Sequence, residues 1–420
     1  MEKFVIRGGR PLKGTIKVKG AKNAALKVLA ASLLSDEEWT ISNVPQIEDI
    51  FCLIELIKGI GAEVKNDSDG VYRIKAENIK DIHLEPSIAQ KLKGSIVMAG
   101  PLLARKGEAV FPHPGGCVIG QRPRDIFLDG FKAFGVKIKE NRNGYHLFAK
   151  KLKGTKFVFP KISVTATETL MLTAVLAQGK TILKNAACEP EIPALADFLN
   201  KCGTKIKGAG THTIEIEGSK KLLKKGAIKI MPDRLEAGTF AIMAAVTNGQ
   251  VKIINCDPSH LEVLWVILEK VGVNFKLGKD YVLIKPSRGL KAVSVKTHEY
   301  PGFATDLQAP FTILMTQANG ASLIHETIFE GRLFYTDILN QMGANIIMAD
   351  PHRVLVNGPS KLYGRKITSP DIRAGIALVI AGLVAQGKTE IENIYQIDRG
   401  HERIEKRLQK LGAEIKRVSY

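Results

Sequence analysis

Two patterns of apolar and polar positions alternate along the chain. Largely apolar runs, among them AALKVLAASLL, TLMLTAVLA, GTFAIMAAV and GIALVIAGLV, are typical of helices. Shorter segments such as KTILKN, QVKIIN and KTEIEN alternate between apolar and polar side chains, as strands with one buried face do. The two patterns together predict an α/β or α+β protein.

Six of the predicted helices end in the same way. Each closes with a glycine, the residue best suited to a left-handed helix end, and a short alternating strand follows. These glycines are Gly61, Gly135, Gly203, Gly272, Gly343 and Gly412. Their spacing of about 70 residues indicates six copies of one α/β repeat.

A repeat of this length predicts two closed clusters of three repeats, because an open stack would need polar end caps that the sequence lacks. We expect one domain to span residues 22–231 and the other to combine residues 1–21 with residues 232–420. No Pro-, Gly- and Ser-rich tether separates them. This predicts short crossings between the domains and a cleft at their boundary.

One segment breaks the regular pattern. Residues 111–124, FPHPGGCVIGQRPR, are rich in Pro and Gly where the other repeats have a compact loop. We interpret the segment as a mobile lid, with a plain long turn as the alternative. Cys117 follows two glycines there, and the nearby Arg122 and Arg124 would lower the pKa of its thiol and make it reactive. We expect the other four cysteines to be buried thiols.

The charge of the chain predicts anionic partners. Lys and Arg number 61 against 42 for Asp and Glu, a net charge of +19. No apolar stretch reaches the roughly 20 residues of a membrane-spanning helix, and no secretory signal is visible. These features predict a cytoplasmic protein that does not associate with a membrane. The nine histidines and five cysteines show no metal-ligand spacing, so we expect no metal site.

Basic residues recur where helices are predicted to begin. A helix N-terminus carries a partial positive charge, so a cation there is unfavourable unless an anion binds. Asp233, Asp371 and Asp398 each stand just before one of them, so a capping aspartate beside a solvated arginine is the alternative. The recurrence favours a shared pocket for phosphate or carboxylate groups. The residues are Lys22, Lys93, Arg122, Arg234, Arg332, Arg373 and Arg399.

Six motifs follow one another along the whole chain: Lys22-Asn23, PGGCVIGQRP, PDRLEAGTF, FATDLQ, ETIFEGR and IDRGHERIE. With them the sequence resembles the UDP-N-acetylglucosamine 1-carboxyvinyltransferase family of enolpyruvyl transferases, which is related to the 5-enolpyruvylshikimate-3-phosphate synthases. The resemblance implies two inside-out α/β domains, each of three βαββαβ repeats, with the active site in the interdomain cleft.

The resemblance also implies a reaction. The family transfers the enolpyruvyl group of phosphoenolpyruvate to the 3′-hydroxyl of UDP-N-acetylglucosamine and releases phosphate, by addition and then elimination. It needs no metal or organic cofactor. This is the first committed step of peptidoglycan synthesis, which links it to cell shape and cell division. Fosfomycin, an epoxide that mimics phosphoenolpyruvate, is expected to alkylate Cys117.

The resemblance assigns roles to individual positions. Cys117 matches the family's proton-donor or phosphate-release cysteine, and Asp306 matches its base. The implied catalytic set is Cys117, Asp306, Lys22 and Arg399. The implied contacts of phosphoenolpyruvate are Lys22, Lys93, Arg122, Arg332, Arg373 and Arg399. Those of UDP-N-acetylglucosamine are Asn23, Arg122, Lys161, Ser163, Asp306 and Ile328.

Four positions depart from the family pattern. Lys93 replaces Arg, Phe127 replaces His, Thr165 replaces Gly and Gly331 replaces Asn. Lys keeps the charge of Arg but loses its two-pronged geometry. Phe127 and Thr165 match the nucleotide side, so they bear on the identity of the acceptor. Arg124 is a candidate for replacing a lost contact.

Three other functions remain as alternatives. One is an enolpyruvyl transferase that acts on a different nucleotide sugar, and another is a non-catalytic paralogue that binds a nucleotide sugar. The third is a nucleic-acid-binding protein, which the positive charge would suit. Aromatic residues make up only 6% of the chain and are not interleaved with basic ones. Stacking platforms for bases are therefore scarce, and we expect no nucleic-acid partner.

Overall fold

The structure is a computed structural model that describes residues 2–113 and 125–419, without the side chains of Lys93 and Asp125. Cys117, Arg122 and Arg124 lie outside the described residues, and with them most of the predicted lid. No helix in the described ranges is long and apolar enough to cross a membrane.

Helices are interspersed with single strands and with runs of two or three strands along the chain. Residues 2–113 form β1 (Glu2–Arg7), β2 (Lys13–Lys17), α1 (Lys22–Ala31), β3 (Glu38–Ser42), α2 (Glu48–Gly59), β4 (Glu63–Ser68), β5 (Val71–Lys75), α3 (Pro86–Ala89), α4 (Ala99–Lys106) and β6 (Glu108–Pro112). Residues 125–231 form α5 (Asp125–Ala133), β7 (Lys137–Asn141), β8 (Gly144–Phe148), β9 (Lys156–Val158), α6 (Val164–Ala174), β10 (Lys180–Lys184), α7 (Glu191–Lys201), β11 (Lys205–Lys207), β12 (Thr213–Glu217) and β13 (Gly226–Lys229).

The remaining elements lie in the C-terminal half. Residues 232–419 form α8 (Arg234–Val246), β14 (Gln250–Ile254), α9 (Glu262–Val271), β15 (Asn274–Leu277), β16 (Tyr281–Lys285), β17 (Val295–Lys296), α10 (Gln308–Thr316), β18 (Gly320–His325), α11 (Thr336–Gln341), β19 (Asn345–Asp350), β20 (Arg353–Gly358), β21 (Lys366–Thr368), α12 (Ile372–Val384), β22 (Lys388–Glu392), α13 (Tyr395–Asp398), α14 (Ile404–Lys410) and β23 (Glu414–Ser419). Short 3-10 helices cover Ser32–Leu34, Lys93–Met98, Pro258–Leu261 and Thr305–Leu307.

The strands of the described residues pair into six small sheets. Their strand orders are β13-β3-β5-β4, β6-β8-β7, β11-β12-β10-β9, β15-β16-β14-β2, β17-β18-β20-β19 and β21-β22-β1-β23. Three strands of each sheet are antiparallel, and in five sheets a short strand joins in parallel at the edge. The six sheets correspond to the six repeats that the sequence predicts, and the predicted mixed α/β class is confirmed.

The chain divides into two compact units. Unit 1 contains residues 2–19 and 232–419, and unit 2 contains residues 20–113 and 125–231 among those described. Each unit contains three of the six sheets.

Each unit has helices that are buried on every side. In unit 1 all residues of α8 and α10 are buried, and in unit 2 α6 is buried from Ala166 to Ala174. A helix that is apolar all round belongs in a core, not on a surface. The largely apolar runs of the sequence are these helices together with α1 and α12, so the prediction that they are helical is confirmed.

Backbone geometry repeats as well. The six glycines predicted to close helices all have left-handed conformations, with φ between 86° and 111°. Four asparagines that directly follow a strand are also left-handed, with φ between 54° and 58°. Each donates its side-chain amide to the backbone carbonyl just after the parallel edge strand, at 2.8–2.9 Å. These residues are Asn43, Asn185, Asn255 and Asn393. The asparagines thus fasten the ends of paired strands.

Candidate active site

Unit 1 brings three of the predicted site residues together. Asp306 lies on the 3-10 turn that leads into α10, and its carboxylate receives hydrogen bonds from two arginines. Arg332 Nη1 donates to Oδ1 at 2.9 Å and Arg373 Nη2 donates to Oδ2 at 2.6 Å. The Arg332 side chain is 5% exposed and that of Asp306 is 21% exposed. The cluster is therefore mostly shielded from water, with the carboxylate its most accessible member.

This arrangement fixes the protonation state of Asp306. Burial alone would raise its pKa, but the charges and hydrogen bonds of Arg373 and Arg332 outweigh burial and hold the pKa well below its usual range. Asp306 is therefore an ionised carboxylate. Nε of Arg332 is also buried without a hydrogen-bond partner among the described residues. This arginine retains an unused donor within the cluster.

Glu326 is a site residue that the sequence analysis missed. It is fully buried and directly follows β18, where four other repeats place the strand-fastening asparagine. Its Oε1 accepts the backbone N–H of Ile328 at 2.8 Å, and its Oε2 accepts the hydroxyl of Thr305 at 2.7 Å. Thr305 in turn accepts a hydrogen bond from Arg332 at 2.7 Å. The signal was present in the sequence, because SLIHE ends in Glu where the matching segments end in Asn.

The structure corrects where some of the basic residues lie. Asp233 and Asp371 do cap helices, and Arg234 and Arg373 fall in the first turns of α8 and α12. Arg332, however, lies in a turn before α11, and Arg399 lies at the C-terminal end of α13, where it donates to Gln396 at 3.0 Å. Asp398 is the last residue of α13 and not a cap, and it pairs with Arg417 at 2.7 Å.

The predicted residues of unit 2 cluster at the starts of two helices. Lys22 is the first residue of α1 and its ammonium lies 2.6 Å from Asp49 on α2, while Asn23 follows it half-buried. Ser163 caps α6 by accepting the N–H of Ala166 at 3.3 Å. Lys161 is exposed on the loop before this helix. The N-termini of α1 and α6 thus carry all the predicted residues of unit 2 whose side chains are described.

The positions that depart from the family pattern fall in different settings. Lys93 opens a 3-10 helix. Phe127 lies on α5 and packs against the core of unit 2, and Thr165 is the second residue of α6. Gly331 is buried in the turn that carries Arg332.

Four cysteines lie in the described part of the chain, and all four are free thiols. Burial raises the pKa of Cys202 and Cys256 to about 11. Cys52 and Cys188 are only partly buried, which corrects the expectation that all four are buried. Desolvation and nearby carboxylates still raise the pKa of both. None of the four therefore has the lowered pKa of a reactive thiol.

The chemistry available here is that of anion binding beside a carboxylate. Arg332 and Arg373 offer paired N–H donors suited to carboxylate or phosphate oxygens. An ionised aspartate between them can accept a proton once its arginine partners turn to another anion. An acid–base reaction on an anionic substrate is the chemistry that such a group supports.

Comparison with known proteins agrees with this chemistry. Residues 6–408 match the model of the family described as EPSP synthase (3-phosphoshikimate 1-carboxyvinyltransferase). UDP-N-acetylglucosamine 1-carboxyvinyltransferase 1 of Caldanaerobacter subterraneus subsp. tengcongensis is 45% identical over 416 residues, covering 99% of both chains. The UDP-N-acetylglucosamine 1-carboxyvinyltransferase of Koribacter versatilis is 44% identical over 422 residues, covering 100% of this chain and 97% of the other.

A solved structure shares the fold. The crystal structure of the enolpyruvyl transferase NikO from Streptomyces tendae superposes with a TM-score of 0.90 at 23% identity, covering 100% of this chain and 99% of that one. The resemblance that the motifs carry is confirmed over the full length of the sequence. The chain belongs to the EPSP synthase family of carboxyvinyltransferases, together with the UDP-N-acetylglucosamine 1-carboxyvinyltransferases.

Proposed function

We propose that this protein transfers the enolpyruvyl group of phosphoenolpyruvate to the 3′-hydroxyl of UDP-N-acetylglucosamine and releases phosphate. The observation that carries the proposal is full-length identity of 44–45% to proteins named for this reaction. The cluster of Asp306, Arg332 and Arg373 supports it, because both substrates are anions and the reaction needs a base.

The proposed reaction has two steps. In the addition step the acceptor hydroxyl forms a bond to C2 of phosphoenolpyruvate, its proton leaves to a base, and C3 gains a proton. In the elimination step C3 loses a proton, the bond from C2 to the phosphate oxygen breaks, and the double bond forms again. We assign the base to Asp306, and the binding of phosphoenolpyruvate to Lys22, Lys93, Arg122, Arg332, Arg373 and Arg399.

The state of Asp306 suggests how its basicity is controlled. Held by two arginines, the carboxylate has a pKa too low for an effective base. Arg332 and Arg373 are also the groups assigned to the anionic end of phosphoenolpyruvate. When Arg332 and Arg373 bind phosphoenolpyruvate in place of Asp306, the carboxylate loses two cationic partners and its proton affinity rises. The base thus becomes active when the substrate is bound.

The remaining assignments follow the family resemblance. Cys117 serves as the proton donor or in phosphate release, and fosfomycin forms a covalent bond to its sulfur by opening the epoxide. Asn23, Arg122, Lys161, Ser163, Asp306 and Ile328 contact the nucleotide sugar. We propose the cytoplasm as the location and peptidoglycan synthesis as the process, with its consequences for cell shape and division. We also propose the two units as the two functional domains.

The test is phosphate release from phosphoenolpyruvate with a panel of nucleotide sugars. We expect turnover with UDP-N-acetylglucosamine and none when the acceptor is omitted. Faster turnover with a different sugar nucleotide would move the assignment to another acceptor, as the departures at Phe127 and Thr165 allow. Binding of the sugar without turnover on any acceptor would assign the chain to the non-catalytic paralogues.

A further inference from the structure

A buried ion pair joins the two substrate-binding helices of unit 2. Nζ of Lys27 on α1 lies 2.8 Å from Oε2 of Glu168 on α6, and the two side chains are 5% and 0% exposed. No backbone N–H, hydroxyl or amide in the described chain donates to either oxygen of Glu168. Lys27 is therefore the close, oppositely charged partner of this carboxylate in the core of unit 2.

The internal repeats show that the fold does not require charges at these positions. Four repeats can be aligned by a residue that lies between the buried helix and the next strand and forms an isolated parallel β-bridge. These residues are Ser35, Gln178, Asn319 and Gln386. The residue eight positions earlier is Lys27 in the first repeat, but Leu170, Phe311 and Leu378 in the others. The residue ten positions earlier is Glu168 in one repeat, but Ala25, Ala309 and Ile376 in the others. Both members of the pair thus replace buried apolar side chains.

Other charges surround the pair. Glu189 and Glu191, at the start of α7, are buried and act on Glu168 through space. Burial raises the pKa of Glu168 to about 7 despite the charge of Lys27, and the two neighbouring glutamates add to the rise. A buried ion pair in such surroundings is costly compared with apolar packing. Stability is thus a poor explanation for its presence.

We infer that Lys27 and Glu168 form a positioning pair, which holds α1 against α6 in one register and so fixes Lys22, Asn23 and Ser163 relative to one another. The substrate-binding part of this inference rests on the proposed function. Apolar contacts are non-directional, whereas any displacement that separates Lys27 from Glu168 would leave a buried charge without its partner. The pair therefore disfavours displaced arrangements of the two helices. Lys27 lies little more than one turn from Asn23, so its position sets that of the helix start.

The experiment replaces both charges at once, because a single replacement would leave one buried charge unpaired and could unfold the protein. In Lys27→Met/Glu168→Leu, we expect a melting temperature at or above that of the parent. Hydrogen–deuterium exchange of residues 22–26 and 164–168 should become at least about fivefold faster. The matched control is Lys3→Met/Glu390→Leu, a half-buried pair in unit 1 at 2.7 Å, which should leave exchange in these segments unchanged.

Kinetics provide the second measurement. The double variant should have KM values for both substrates raised about fivefold or more without any fall in melting temperature, because α1 and α6 together carry contacts to both substrates. The swapped variant Lys27→Glu/Glu168→Lys keeps one ion pair and should recover part of the loss.

The outcomes separate this inference from the proposed function. A parent without transferase activity contradicts the proposed function, and the exchange measurement alone then decides the role of the pair. An active parent whose double variant keeps both its exchange rates and its KM values overturns the inference. Faster exchange with unchanged KM values also overturns it, since the pair would then order the helices without positioning the substrate.

Discussion

At the scale of single residues, the protein places its ionisable groups in opposite electrostatic settings. Asp306 lies between two guanidinium groups that keep it ionised, whereas burial and neighbouring carboxylates favour the protonated form of Glu168. Both are acidic side chains of ordinary pKa in water. At Asp306 two guanidinium groups outweigh burial, whereas at Glu168 the one ammonium of Lys27 does not outweigh burial and the two neighbouring glutamates.

Asp306→Asn tests the proposed base. The amide keeps the shape of the side chain but cannot accept a proton, so we expect turnover to fall by about 10²–10⁴-fold with substrate binding largely retained. Phosphate release measures turnover, and calorimetry measures binding of UDP-N-acetylglucosamine. Asp350→Asn is the control, because it also removes an aspartate paired with an arginine, at 2.6 Å on a hairpin of the same unit. Near-normal turnover of Asp306→Asn would assign the base elsewhere, with Asp371 the next candidate.

We expect fosfomycin to label Cys117 and none of the other four thiols. The labelling should be faster when UDP-N-acetylglucosamine is present. The pKa values of Cys52, Cys188, Cys202 and Cys256 are all raised, so these side chains carry little thiolate at neutral pH. Mass spectrometry of peptides from protein treated with and without the sugar measures the adduct. Comparable labelling of Cys52 or Cys188, the two partly exposed thiols, would contradict a specially reactive Cys117.

The raised pKa of Glu168 predicts how stability depends on pH. Its folded-state value of about 7 lies above the reference value of 4.5, so the folded state binds this proton more tightly. The resulting stability is present below pH 4.5 and is lost as the pH rises through 7. Relative to Lys27→Met/Glu168→Leu, which has no ionisable group at either position, the parent should lose about 2–3 kcal/mol of unfolding free energy between roughly pH 5 and 8.

Fluorescence can follow this change in unit 2 alone. The two tryptophans lie one in each unit, with Trp39 fully buried in unit 2, so urea unfolding in a Trp265→Phe background reports on that unit. If the unfolding free energies of parent and variant change in parallel with pH, the prediction is contradicted, and Lys27 keeps Glu168 ionised over the whole range.

At the scale of elements, helix starts explain part of the charge pattern without any ligand. Asp233 Oδ1 accepts the N–H of Leu235 at 2.8 Å and that of Glu236 at 3.2 Å, which satisfies two otherwise unpaired donors of α8. Asp371 does the same for α12. At these two helices the aspartates do cap, as the alternative supposed, but the arginines that follow are not solvated: Arg234 is buried and the Arg373 side chain is 14% exposed. Arg373 nevertheless turns to Asp306, so capping and site formation coexist at α12.

Removing one cap should cost a predictable amount. Asp233→Ala leaves two N–H groups of α8 without a side-chain acceptor and should lower the unfolding free energy of unit 1 by about 1 kcal/mol. Asp233→Asn keeps an acceptor oxygen and should stay within roughly 0.5 kcal/mol of the parent. Urea unfolding followed by Trp265 in a Trp39→Phe background measures both variants. Equal losses in the two variants would mean that the charge of Asp233, and not its capping, stabilises the unit.

At the scale of the whole molecule, the net charge of +19 is consistent with two anionic substrates. We expect phosphate release to require both phosphoenolpyruvate and UDP-N-acetylglucosamine, and to persist in excess chelator, because arginine and lysine supply the positive charge that the addition step needs. A phosphate-release assay with and without the chelator measures this. Activity that disappears with the chelator and returns with a divalent cation would contradict the cofactor-free reaction.

The sequence by itself determined the repeat, the mixed α/β class and the family. Helix periodicity and closing glycines are local features, since a turn of helix involves only neighbouring residues and a left-handed end requires a suitable residue at one position. Gly61 and its five counterparts could therefore be located without the structure. The motifs around Lys22, Asp306 and Arg399 were equally local.

Only the tertiary structure decided which charges meet. Asp306 and Arg373 are 67 positions apart, and their contact exists because two repeats of unit 1 pack around one core. The same holds for Lys27 and Glu168, which the helix pattern gives no reason to pair. Arg332 and Arg399 resembled helix-start residues in the sequence, yet one lies in a turn and the other at a helix end. Ionisation and charge pairing depend on distances through space, and side chains far apart in the chain acquire those distances only when it folds.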